Sequence, residues 1–565
     1  MIRTDKSYYH HGGDFPLLGS TIPEHFSAIA EKYPAHEAVV SMPQQRRLTY
    51  KQLSAAVDLL ARGLLGMGFK RDDRIGIWST NNVEWLLLQM ATARIGSILV
   101  NINPAYRIRE LEYALQRSEV NCLFCIPQFH SSHYTSMLQE LLPHLRSDCA
   151  ELDSENFPHL HRVVLYDPQN PMHTATPTPG FTAWQEVIGA AGAVTQEKLN
   201  TVTAQLDRDD VINIQYTSGT TGFPKAVMLS HHNILNNAWF SAHVMRFTEQ
   251  DRLVVPVPFY HCFGMVLANL LCFSVGACVV IPSEHFEAGN VLQAVAQQKC
   301  TAIHGVPTMF IAELEHPNFR QYELSSLRTG IIAGAPCSPE LMKRIINDMH
   351  CREILIGYGE TEASPLTHLT SPEDSFDLRI STVGRNLPHQ EVKIVSTETG
   401  QTVPLGQVGE ICFRGYHIMR GYYRQPEKTA EAIDAAGWLR SGDLGTMDAN
   451  GYVKITGRLK EMIIRGGENI YPREIEDFLF THPKIAAVAV FGVPDEFYGE
   501  EVACWIELHQ GMTATPEEIV SYCKDKIAHF KIPRHIRFID TFPMTVTGKV
   551  QKFKMREKMQ KLLSR

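Results

Sequence analysis

Hydrophobic residues in this chain follow two rhythms. In "RLTYKQLSAAVDLLARGLL" (Arg47–Leu65), Leu53, Val57, Leu60 and Leu64 recur every three or four residues, which predicts a helix with one buried face. Thr49 and Gln52 have capping-box spacing, and Leu48 and Leu53 are placed as its hydrophobic staple. Elsewhere the apolar runs are short and end in Gly, Pro or a polar turn: "RIGIWS", "RVVLYD", "RLVVPVPF", "TAIHGVP", "TGIIAGAP" and "EILIGYG". These read as strands. Strands alternating with helices imply an α/β fold with parallel or mixed sheets covered on both faces. Ligands then gather at the carboxyl ends of the strands.

One run, Phe263–Pro282, approaches the length of a membrane span. Asn269 and Ser274 interrupt it, and "ACVVI" after Gly276 has the character of a buried strand. A core helix followed by a core strand is expected, and no transmembrane segment. The last hundred residues change character. "YVKITGRLKEMIIRGGENIYP" reads as a hairpin, and "HPKIAAVAVFGVPD" and "EVACWIELHQG" read as strands. Thr515 and Glu518 have capping-box spacing, with Pro516 at the first helical position. The expected division is a large domain over 1–459 and a small α+β domain over 460–565.

Composition narrows the classes. With 44% hydrophobic and 20% charged residues the chain is ordinary globular protein. A net charge of −8 over 565 residues gives no basic face for nucleic acid. The start, "MIRTDKSYYHHGGDF", has no apolar segment and carries Asp5, so a secretory signal is not expected. The twelve cysteines are scattered, and Cys122 and Cys125 form a single CxxC without a second pair. That pair fits a buried strand with reduced thiols in a cytoplasmic setting.

The candidate chemistry begins at "YTSGTTGFPKAVMLSHHNI", Tyr216–Ile234. Glycines let backbone N–H groups approach an anion, hydroxyls add donors, and lysine adds a charge. Thr217, Ser218, Gly219, Thr220, Thr221, Gly222 and Lys225 therefore read as a polyphosphate clamp. It is not a Walker A loop. Two residues instead of four separate its glycines, Pro224 precedes the lysine, and Ala226 stands where that motif has Ser or Thr.

Further motifs follow in order: "YGETE" (Tyr358–Glu362), "GWLRSGDLG" with Asp443, "GRLKEMIIRGGENIYPREIE" with Arg458 and Lys460, and "PMTVTGKVQK" with Lys549. Together they resemble the adenylate-forming superfamily of acyl-CoA synthetases, firefly luciferases and peptide-synthetase adenylation domains. The resemblance runs from about Leu17 to Leu562, and Ala226 departs from the family's usual Gly. "INPAYRIRELEYAL" and "MIIRGGENIYPREIEDF" look most like the medium-chain fatty acyl-CoA synthetase branch.

The resemblance implies a two-step reaction using ATP, Mg²⁺ and CoA. A fatty acid, medium-chain by the branch, becomes acyl-AMP with release of pyrophosphate, and a thiol then displaces AMP. It implies that the Thr217–Lys225 loop holds the β- and γ-phosphates, Thr361 the α-phosphate and Glu362 the Mg²⁺. Tyr358, with Gly359 and Glu360 beside it, and Gly334-Ala335-Pro336 border the adenine. Asp443 takes the ribose, supported by Arg458. Lys549 bridges the carboxylate and α-phosphate, Lys460 is the hinge of a mobile small domain, Gly466 and Gly467 line the pantetheine path, and His261 gates the carboxylate site. Four other readings stay open: an acyl-AMP ligase loading a carrier protein, a luciferase-like oxygenase, a nucleotide-binding protein without catalysis, and an ADP-forming phosphoryl-transfer enzyme. Oligomeric state is not set by these residues; a homodimer is one admissible arrangement.

Overall fold

The computed structural model describes residues 5–146, 154–170, 178–217, 224–466, 468–524, 526–544 and 550–563. They form two compact units. The larger comprises 10–391 and 413–439; the smaller comprises 1–9, 392–412 and 440–565.

The larger unit is built on two sheets. In the first, the strands Thr182–Ala183, Arg162–Leu165, Cys122–Cys125, Arg74–Trp78, Ile98–Ile102 and Val211–Thr217 lie side by side and parallel. Two antiparallel strands, Lys225–Ser230 and Gly421–Tyr422, extend it. The second has nine strands. Its parallel centre runs Glu353–Gly359, Thr329–Ala333, Ala302–Gly305, Arg252–Val254, Cys278–Ile281 and Glu37–Ser41, with antiparallel strands at both edges. The α/β class and the predicted strands are thus present. The Cys122–Cys125 pair lies on a fully buried strand.

Helices follow the sequence cues. Tyr50–Gly66 starts at a complete capping box of Thr49 and Gln52, and Leu53, Val57, Leu60 and Leu64 are buried. Each such side chain stabilises the core by roughly 1.5–3 kcal/mol. Val83–Ile95 is buried at every residue but Arg94, its few polar side chains included; Asn82 caps its start and Gly96, left-handed, ends it. The long apolar run is a buried helical stretch, Cys262–Val275, stopped by left-handed Gly276 and followed by the strand Cys278–Ile281. Its middle, Met265–Leu270, is a π-helix, a departure frequent near functional sites. Among the described residues no helix is long and apolar enough to cross a membrane.

Most residues of a further sheet, Tyr8–His10, Gln390–Val395, Gly409–Gly415, Leu439–Met447 and Val453–Arg458, belong to the smaller unit. A second sheet pairs Glu468–Ile470, Ile463–Arg465, Gly499–Leu508 and Ile485–Asp495, with His535–Phe538 joined to Gly499–Leu508. The expected hairpin is Ile463–Arg465 against Glu468–Ile470. The expected capping box at Thr515 is only half made. Thr515 accepts the Glu518 N–H, but the Glu518 carboxylate pairs with Lys484 at 2.7 Å, a stronger partner than a backbone N–H.

Candidate active site

The Thr/Gly segment links two antiparallel strands, Val211–Thr217 and Lys225–Ser230. Thr217 pairs with Lys225 and Tyr216 with Ala226. Strand Lys225–Ser230 separates the segment from helix His231–Val244, where a Walker loop would run straight into a helix. Ser218, Gly219, Thr220, Thr221 and Gly222 lie outside the described residues. The strand ends on either side are tied to helix Ile108–Arg117 and its cap. The Tyr216 hydroxyl donates to Ala114 O at 2.8 Å and lies 2.5 Å from Ser118 Oγ. Tyr113 donates to Pro224 O at 2.9 Å. Both stems of the loop are thereby anchored to one helix. Ala226, the departure from the family's Gly, sits fully buried in the strand and its carbonyl accepts the Tyr423 N–H at 2.8 Å, so a methyl group is accommodated.

The "YGETE" segment ends strand Glu353–Gly359 and enters a 3-10 turn, Thr361–Ala363. Gly359 is dictated by space: a Cβ there would stand 1.9 Å from Pro365 O. The same carbonyl accepts the Glu360 N–H at 2.9 Å. Gly359→Ala is therefore expected to push this turn aside, costing about 1–3 kcal/mol of stability. It should also weaken MgATP use, measured as the melting temperature and KM for ATP; unchanged values would show that the turn tolerates displacement.

Thr361 is buried, and the nearby Cys262 thiol donates to Gln215 Oε1 at 2.9 Å. Glu362 Oε1 accepts the Tyr422 hydroxyl at 2.9 Å, and Lys225 Nζ donates to that same hydroxyl at 3.2 Å while lying 4.5 Å from the centre of the Tyr422 ring. Burial first, then the carboxylates of Glu362 and Glu360, push the Tyr422 phenol far above tyrosine's ordinary range, so it remains a donor. Tyr422 thus joins two predicted site residues, and sequence reasoning did not find it. Its local signal, "RGYY", says nothing about a lysine 197 residues away.

Other predicted residues are placed as follows. Tyr358 is half-buried, beside His368 and Phe413. Gly334 takes a left-handed conformation, φ 84°, just past strand Thr329–Ala333, with Ala335 and Pro336 following. His261 caps the helical stretch at Cys262, its Nδ1 accepting the Phe263 N–H at 3.1 Å. Nearby His304 is buried, and burial lowers its pKa to about 4. Its neutral ring accepts from Ile331 N and donates to Leu267 O, locking the π-helix to the second sheet.

In the smaller unit, Asp443 and Arg458 are register partners and pair at 3.0 Å. Lys460 is exposed in the 3-10 turn Leu459–Glu461. Gly466, φ 57°, donates its N–H to Tyr498 O at 2.8 Å. Gly467 and Lys549 lie outside the described residues. Residues flanking the Lys549 segment are tied down: Met544 and Val550 form a β-bridge, and Gln551 N–H donates to Pro543 O at 2.7 Å. Lys552 pairs with Glu461 at 3.0 Å and Glu476 at 2.8 Å.

The donor chemistry around Glu362 fits Mg²⁺. Its carboxylate is a hard oxygen ligand, and no described group of three or more His, Cys, Asp or Glu forms a metal cage. Mg²⁺ is commonly held by one or two carboxylates, completing its shell with water and substrate phosphates.

The sequence matches the AMP-binding enzyme family over residues 26–423 and the AMP-binding enzyme C-terminal domain over 474–549. It is 48% identical to YngI of Bacillus subtilis (strain 168), covering 96% of this chain and 97% of that protein. It is 44% identical to the mitochondrial medium-chain acyl-CoA ligase ACSF2 of Danio rerio, over 99% of this chain and 91% of that one. Among solved structures, the anthranilate CoA ligase AuaEII in complex with anthranoyl-AMP superposes with a TM-score of 0.82 at 26% identity, covering 98% of this chain and 99% of that one. ATP-bound MatB from Rhodopseudomonas palustris superposes with a TM-score of 0.81 at 26% identity, covering 96% and 100%. Two matched regions in the expected order, and near-full-length relatives at this identity, place the chain: it belongs to the AMP-binding enzyme family.

Proposed function

We propose that this protein activates a fatty acid, of medium chain length, and passes it to CoA. The carboxylate attacks the α-phosphorus of ATP, giving acyl-AMP and pyrophosphate. The CoA thiol, losing its proton, then attacks the acyl carbon, and AMP leaves as the thioester forms. The observation that carries this reading is that Lys225, at the start of the strand following the Thr/Gly segment, and Glu362, next to Thr361, are joined through the Tyr422 hydroxyl. The chain length is supported by the medium-chain ligases that match it over nearly their whole length.

In this reading the Thr217–Lys225 loop holds the β- and γ-phosphates, Thr361 meets the α-phosphate, and Tyr358 with Gly334–Pro336 borders the adenine. Asp443 accepts from the ribose hydroxyls and Arg458 steadies it. Glu362 would hold Mg²⁺, which supplies positive charge against the developing phosphate charge. Lys549 serves adenylation, Lys460 is the hinge that retires it, Gly466 and Gly467 line the pantetheine path, and His261 borders the carboxylate. A reducing compartment such as the cytoplasm suits the protein, since every described cysteine is a free thiol; cell fractionation checks that.

The test is a nucleotide product assay with Mg²⁺, ATP and straight-chain acids of increasing length, with and without CoA. Expected are AMP and pyrophosphate, greatest with medium-chain acids, and turnover only when CoA is present. Acid-dependent pyrophosphate exchange without CoA turnover would transfer the second step to a carrier-protein thiol. ADP as product would overturn the reading.

A further inference from the structure

Lys225 and Glu362 carry opposite charges and do not touch. One phenolic hydroxyl stands between them, accepting from Lys225 Nζ at 3.2 Å and donating to Glu362 Oε1 at 2.9 Å. We propose that Tyr422 is a positioning residue for adenylation, holding the phosphate-side cation and the metal-side carboxylate one hydroxyl apart so that neither neutralises the other before MgATP arrives. This rests on the reading above, in which Lys225 meets phosphate and Glu362 meets Mg²⁺.

The alternative to a spacer is a direct ion pair. At contact distance near a protein surface such a pair gains a few kcal/mol, and both partners would have to give it up to bind MgATP. A neutral hydroxyl satisfies each charge with a single hydrogen bond. It also leaves the ammonium's other donors and the carboxylate's other lone pairs for the ligand.

A spacer works only if it is itself held, and Tyr422 is. It is 4% exposed and sits in a two-residue strand against Val227 and Met228. Its N–H donates to Thr429 Oγ1 at 2.9 Å. Arg420 N–H donates to Met228 O at 2.9 Å on one side, and Tyr423 N–H donates to Ala226 O at 2.8 Å on the other. Arg117 then clamps Tyr423 O at 2.7 Å. Gly421, φ 134°, allows the strand to pass Thr429, which a Cβ would approach to 2.9 Å. Lys225 begins the neighbouring strand, so the ring lies over the lysine by sheet geometry. The carbonyl of Glu362 is fixed from the same segment, by Met419 N–H at 2.9 Å. Three points of the site therefore share one rigid frame.

Tyr422→Phe tests this, because it keeps the ring over Lys225 and removes only the hydroxyl. The Kd of MgATP, measured by calorimetry without fatty acid, is expected to rise about tenfold, the scale of one hydrogen bond to a charged group. The Mg²⁺ concentration for half-maximal adenylation should rise similarly, with kcat changed less than KM for ATP. KM for the fatty acid and the melting temperature should not move. Glu362→Gln and Lys225→Ala, run in parallel, test the underlying reading through the same binding measurement. If those two weaken MgATP binding and Tyr422→Phe does not, the positioning role fails and the site assignment stands. If none of the three does, the assignment fails and the proposal falls with it. A lowered melting temperature with kcat and every KM affected alike would make Tyr422 a packing residue and overturn the proposal.

Discussion

Lys549→Ala is expected to slow acid-dependent adenylation about 10²–10³-fold, the cost of one lost stabilising donor at a site of developing charge. In the first half-reaction a carboxylate must approach the α-phosphate, and both are negative. At about 4 Å two like charges near a protein surface repel by roughly 4 kcal/mol. A lysine that bridges them offsets that repulsion with a full positive charge, which a hydroxyl or backbone N–H does not carry. The cluster of nearby lysines does not offer a substitute. Lys552 is committed to Glu461 and Glu476, and Lys554, Lys558 and Lys561 lie along the helix Lys552–Leu563. Pyrophosphate exchange reads the loss, and thioester formation from prepared acyl-AMP should be largely spared. Wild-type exchange in this variant would remove Lys549 from the mechanism.

Lys552→Met is expected to destabilise the smaller unit by about 3 kcal/mol, because it strands the nearly buried Glu476 carboxylate, whereas the more exposed Glu461 keeps its water. The Lys552 side chain is 19% exposed and that of Glu476 10%; Glu476 Oε1 also accepts the Val490 N–H at 2.8 Å. Losing the lysine therefore strains a hydrogen bond to strand Ile485–Asp495 as well as an ion pair. Hydrogen exchange along that strand should accelerate while the core of the larger unit is unaffected. Adding Glu476→Gln should recover part of the loss, since a neutral amide costs less to bury alone. The sign with pH follows from the lysine. Burial by itself would lower its pKa, but Glu476 and Glu461 outweigh burial and raise it above the ordinary 10.5. Its contribution is thus fully present below that value, throughout the neutral range, and fades only as pH rises through the raised value. Equal exchange rates in variant and parent at neutral pH would show that these charges are solvated and worth little.

Much was legible along the chain because its causes are local. The Thr49–Gln52 capping box, the four-residue rhythm of Leu53, Val57, Leu60 and Leu64, and the glycine that stops the long apolar helix each act within one turn or one strand. The motif order from Thr217 to Lys549 likewise pointed to the AMP-binding enzyme family that the matched regions show, and two glycines too close together excluded a Walker loop. Tertiary structure decided what those motifs face. Only sheet register pairs the strands on either side of the Thr/Gly segment and sets Tyr422 against Lys225 and Glu362. Only register puts Asp443 beside Arg458, and only packing singles out Lys552 from neighbours of identical chemistry. The physical reason is range. Caps and periodicities are settled by residues three or four apart, whereas a hydrogen bond between residues 60 or 197 apart exists only once every strand between them has found its place.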